Sequence, residues 1–139
     1  MGVALLLALA LPASAGDLKF EAQLLWGTND SQSPDAKHKP ISDELRKRLK
    51  ELPLKWTNYF EVSRKSFTVA DSTSQKVSLS EKCEVEVKNA GKAGLEIYLF
   101  GKGEPVWKRT QRLPKGETLV LGGNAPNSTA WLVTLKRLE

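Results

Sequence analysis

From residue 58 to residue 138 apolar and polar side chains alternate in short runs, and glycine, proline or asparagine breaks the runs at intervals of about eight to twelve residues. A period of two puts every second side chain on the same face of an extended strand, so each run predicts a strand with one buried face. Segment 58–63 turns Phe60 and Val62 inward, and segment 66–70 follows it as a separate strand. Segment 76–80 turns Val77 and Leu79 inward. Cys83, Val85 and Val87 alternate with Glu84, Glu86 and Lys88, and the Asn89-Ala90-Gly91 turn leads into Leu95, Ile97 and Leu99, which predicts a hairpin. Segments 106–113, 118–121 and 130–138 complete the series. Between the first two of these, Leu113-Pro114-Lys115-Gly116 fits a type I turn with proline at its second position and glycine at its fourth. No helical pattern interrupts the series, which excludes a βαβ architecture.

The same alternation opens earlier, with Leu18, Phe20, Ala22, Leu24 and Trp26 on one face of a long first strand. Residues 27–40 then read as an irregular polar loop. Ser42 is a good N-cap, Asp43 and Glu44 suit the positive end of a helix dipole, and Leu45, Leu49 and Leu52 recur along one face until Pro53. The opposite face carries Arg46, Lys47, Arg48, Lys50 and Glu51, so this helix is expected to lay its leucines on a sheet. The fold class that follows is mainly β (α+β). It is an antiparallel β-sandwich or barrel of about eight strands, with one short helix between the first and second.

Residues 1–16 carry no charge, and the unbroken apolar run 3–11 is closed by Pro12 and Ala13-Ser14-Ala15. That is the pattern of a signal peptide cleaved near Ala15, and it predicts a secreted or periplasmic protein with one domain over 17–139. The run is shorter than the roughly 20 apolar residues that cross a bilayer, and no later segment of that length follows. The 139 residues hold a single cysteine, Cys83, so no intrachain disulfide forms. The net charge is +5, yet the 21 basic and 16 acidic residues are mixed along the chain. An exported protein of this charge meets anionic polysaccharides and envelope proteins, which makes nucleic acid the weaker partner.

A first strand ending in Trp26-Gly27-Thr28-Asn29-Asp30, a loop ending in Lys39-Pro40, a short leucine-spaced helix, and a β-only half opened by Trp56 to Phe60 together resemble a group of small exported bacterial proteins of unknown function. The resemblance covers most of the chain after residue 16. It implies export and a β-sandwich, and it brings no activity and no functional residue with it.

Candidate functional residues fall in two groups. In the loop, Asn29, Asp30, Ser31 and Asp35 offer hard oxygen ligands of the kind calcium prefers, and equally the side chains that fix ordinary turns. His38, the one histidine, lies between Lys37 and Lys39 and reads either as a general base or as a solvated loop residue. No nucleophile-elbow or cofactor motif accompanies it, and one cysteine with one histidine cannot complete a tetrahedral zinc set. Cys83 shares its face with Val85 and Val87, which favours packing over reactivity. The second group is basic: Arg46, Lys47, Lys50 and Lys55 around the helix, and Trp107, Lys108 and Arg109 on a later strand. Aromatic rings interleaved with cations hold anionic glycans through stacking and charge. The four tryptophans, at 26, 56, 107 and 131, equally suit a sandwich core. The function these features favour is a non-enzymatic binding module for a partner protein or an anionic polymer. The competing readings are a small extracytoplasmic hydrolase using loop 27–40, and a structural envelope subunit that adds an edge strand to its partner.

Overall fold

Strand β1 (Leu18–Thr28) runs two residues further than the sequence suggests, and the whole molecule is built around it. Phe20, Ala22 and Leu24 on one face are almost completely buried, and so is Leu25 on the other. A strand covered on both faces needs a layer on each side, and the computed structural model, which describes residues 17–32, 35–52, 56–91, 94–124 and 130–139, supplies them. The expected export signal, Pro53 and Lys55 lie outside the described residues.

One sheet has five strands in the order β2 (Lys39–Pro40), β3 (Asn58–Val69), β1, β9 (Ala130–Arg137) and β8 (Thr118–Asn124). The other has four, β4 (Ser74–Ser80), β5 (Cys83–Asn89), β6 (Leu95–Gly101) and β7 (Glu104–Gln111). All neighbours pair antiparallel. The architecture is therefore a mainly antiparallel β-sandwich. Its inter-sheet core joins Phe20, Ala22, Leu24, Leu121, Val133 and Leu135 of the first sheet to Leu79, Val85, Val87, Ile97 and Leu99 of the second. Each such Val, Leu, Ile or Phe side chain contributes about 1.5–3 kcal/mol on burial.

The helix α1 (Asp43–Lys50) covers the opposite face of the five-stranded sheet. Ser42 caps it, its hydroxyl accepting from the Leu45 amide at 3.1 Å, and Leu45 and Leu49 pack with Ile41 on Leu25, Tyr59 and Leu132. The leucine stripe thus lies on a sheet, as its spacing predicts. Among the described residues no helix is long and apolar enough to cross a membrane.

The structure corrects several sequence expectations. Segments 58–63 and 66–70 are one strand, β3, because its partner β1 is long enough to pair along the whole of it. Leu24 pairs with Ser63 and Leu25 with Glu61, so Val62 is an extra residue that bulges from β3. The side chains buried there are Tyr59 and Glu61, under the helix side, while Phe60 and Val62 are half-buried. Loop 27–40 is shorter than expected at its far end, because Lys39 and Pro40 pair with Glu61 and Phe60. The turn after Leu113 is shifted by one residue: the Glu117 amide donates to the Pro114 carbonyl at 3.1 Å, and Gly116 takes φ 84° at its third position. A type II turn demands that left-handed conformation, which glycine adopts without strain. The tryptophans do not fill the core. Trp26, Trp56 and Trp107 are half-buried and Trp131 is exposed, since leucine, valine and isoleucine already fill the space between the sheets.

Candidate functional site

Where β1 ends, Gly27 pairs with Tyr59 and lets two rings approach the sheet. A Cβ at that position would stand 2.6 Å from Tyr59 Cε1 and 2.9 Å from Trp56 Cδ1, so only glycine fits beneath them. The chain that carries these rings is held from the neighbouring loop. Asn29 Oδ1 accepts from the Thr57 amide at 3.1 Å and from Thr57 Oγ1 at 3.3 Å, and Asn58 Nδ2 donates to the Asp30 carbonyl at 2.8 Å. Asp30 itself is fixed by donation of its amide to Thr28 Oγ1.

Between this segment and α1 lies a pocket of about 630 Å³. Ile41, Leu49 and Leu52 form its apolar wall, Trp56, Tyr59 and Phe60 its aromatic side, and Arg46 and Lys50 its cationic groups. A volume of this size is in the range of small-ligand sites, which are mostly apolar with a few placed polar groups. The Tyr59 residue is 9% exposed, and its hydroxyl is buried without a hydrogen-bond partner. Burial pushes the phenol above its ordinary pKa, and the nearby Trp56 backbone, which does not reach hydrogen-bonding geometry, offsets only part of that rise. A buried hydroxyl left unpaired costs about 1–3 kcal/mol, so its presence beside an accessible pocket is informative. Arg46 donates to Asp43 Oδ1 at 2.7 Å, in an exposed pair of the kind that contributes little and exchanges readily with another anion.

The remaining sequence candidates sit elsewhere. Lys47 lines a separate cleft with Glu44, Arg48 and Glu51, where charges of both signs are mixed. Trp107, Lys108 and Arg109 belong to β7, in the other sheet. There Trp107 packs against the inter-sheet core and the Lys108 ammonium lies 5.3 Å from the centre of the Tyr98 ring. The structure thus brings Arg46 and Lys50 to one pocket and leaves the β7 residues apart from it. Asp35 Oδ1 accepts from the Lys37 amide at 2.8 Å, an Asx turn, and its other oxygen stands 3.7 Å from His38 Nε2. Cys83 lies on β5, half-buried beside a second, apolar cavity of about 580 Å³ rimmed by Val106 and Trp131. Burial, with a smaller effect from Glu84, pushes its thiol up to about 11, so at neutral pH it is protonated and a weak nucleophile.

Sequence reasoning missed Ile41, Tyr59 and Phe60 as site residues and treated Trp56 as core. The available signal was the aromatic cluster Trp56-Thr57-Asn58-Tyr59-Phe60 directly after a basic helix. Comparison of the chain with protein-family models, with curated proteins and with solved structures finds no match.

Proposed function

We propose that this protein is a non-enzymatic binding module that works outside the cytoplasm and holds an acidic sugar unit of an anionic polysaccharide in the pocket between α1 and the Trp56–Phe60 segment. The observation that carries the reading is the Tyr59 hydroxyl, buried and unpaired beside a pocket that presents Arg46 and Lys50. A sugar ring offers an apolar face to Trp56 or Tyr59, a hydroxyl that pairs with the phenol, and a carboxylate for the two cations. Lys50 has no ion-pair partner among the described residues. The export part of the reading rests on the apolar run 3–11 followed by Ala13-Ser14-Ala15, and it sets the chain beside the small exported bacterial proteins it resembles. The test is retention on an immobilised uronic-acid polysaccharide over a salt gradient, with Arg46→Glu, Lys50→Glu as the variant. Retention should move to lower salt by the equivalent of at least a tenfold loss of affinity. Equal retention of the variant and the parent would remove this pocket as the binding site.

A further inference from the structure

Every sheet edge but one carries the residues that block unwanted strand pairing. Edge strand β4 has Lys76. Edge strand β7 has Glu104, Pro105, Lys108 and Arg109. At the third edge β2 contributes Lys39 and Pro40, and the stretch of β3 it leaves uncovered carries Arg64 and Lys65. Lysine and proline on an edge are the usual safeguards against addition of a foreign strand. Edge strand β8 has neither. It lies at the end of the five-stranded sheet, pairs among the described residues only with β9, and reads Thr-Leu-Val-Leu-Gly-Gly-Asn. It also begins a stretch of 18 residues, from Thr118 to Leu135, without one Asp, Glu, Lys or Arg, in a chain of which 27% is charged.

We infer that the free edge of β8 pairs antiparallel with β8 of a second copy of this chain, about a two-fold axis through Leu121, joining the two five-stranded sheets into one. The sequence of the strand selects this occupant. A two-fold antiparallel pairing centred on Leu121 places Val120 opposite Gly122, Leu119 opposite Gly123 and Thr118 opposite Asn124 of the other copy. The branched half of each strand therefore meets the glycine half of its mate, and the polar ends meet each other. An isologous contact sets each patch against itself, so a charge close to the axis would lie near its own copy. The absence of charge along β8 leaves no such repulsion to overcome in a chain of net charge +5. Trp131 pairs with Gly123 across β8 and β9 and is 38% exposed, one of only two large apolar side chains exposed among the described residues. In the joined sheet Leu119 of the second copy falls beside Gly123, in the cross-strand row that runs on through Trp131, Trp26 and Phe60, and extends that row across the junction.

Sedimentation of the purified protein from about 1 to 100 μM should show a monomer–dimer equilibrium. Two double variants then test the register. Thr118→Lys, Asn124→Lys places lysine against lysine at both ends of the paired strands, and should raise the dimer dissociation constant at least tenfold. Thr118→Lys, Asn124→Glu places lysine against glutamate at the same positions, and should dimerise at least as well as the parent. Thermal melts of both variants establish that the fold survives. A parent that stays monomeric over the whole range overturns the inference, and so does a dimer to which the two variants respond alike.

Discussion

The Tyr59 hydroxyl is the one buried side-chain polar atom without a partner among the described residues, and its surroundings explain why it has none. Gly27 brings the ring close to the sheet, and Leu25, Ile41 and Leu49 around it have no polar side-chain group to offer. A polar atom in such a place is either a cost or a tool, and the two roles separate on substitution. Tyr59→Phe keeps the ring and removes the orphan group. We expect it to stabilise the free protein by about 1 kcal/mol, read as a rise of roughly 4 °C in melting temperature for a domain of this size. Binding of the polysaccharide should weaken several-fold at the same time. A variant that melts unchanged and binds unchanged would show that the hydroxyl is neither strained nor used. Cys83 is the contrast at this scale, because its thiol is held protonated up to a pH of about 11 by burial among apolar neighbours and so packs rather than reacts.

At the scale of elements, what could be read from the sequence was whatever local pattern alone decides. β1, the β5–β6 hairpin and α1 each follow from periodicity and a cap, and each is where that pattern puts it. The bulge at Val62 was not legible, because a bulge is set by how two strands of unequal curvature meet and leaves no fixed residue signature. Its effect is specific. In a regular strand residues three apart face opposite sides, yet the extra residue brings Glu61 and Arg64 to one face, where the guanidinium Nε lies 2.7 Å from the carboxylate. Gln23 Nε2 donates to the same oxygen at 2.6 Å, and Thr134 Oγ1 to Gln23 Oε1 at 3.2 Å, so the network crosses three strands. Glu61 raises the Arg64 pKa chiefly through that hydrogen bond, against a smaller fall from burial. Arg64→Met keeps most of the packing volume but leaves the buried Glu61 carboxylate to Gln23 alone, and should cost about 1–3 kcal/mol in a urea unfolding titration. Half of the candidate site was legible for the same reason that α1 was: Arg46 and Lys50 follow from the helix pattern. Trp56 and Tyr59 were not, since Trp56 precedes residues 57 and 58, which the Asn29 and Asp30 contacts hold, and Tyr59 lies on the face of β3 opposite to the one the alternation turns inward, and no periodicity encodes either.

Over the whole molecule the +5 charge is spread over both sheets and the helix, and that spread makes binding to a polyanion ambiguous by itself. A protein of this charge is held weakly by any acidic polymer through its summed field, with strong screening by salt. A pocket predicts something narrower, namely that position counts as well as sum. Reversing Arg46 and Lys50 to glutamate lowers the net charge by four, from +5 to +1, and reversing Lys108 and Arg109 to glutamate does the same. The first pair lines the pocket with Trp56 and Tyr59, and the second lies on β7 in the other sheet, with the Lys108 ammonium over Tyr98. Both pairs are exposed side chains, so both variants should fold and melt close to the parent. On a uronic-acid matrix at low salt the two should lose the same small, field-driven part of their retention. Near physiological ionic strength, where the screening length is about 8 Å, the field-driven part fades, and only the helix variant should still fall well below the parent. Equal elution of the two variants at every salt concentration would mean that net charge, and not the α1 pocket, holds the polymer.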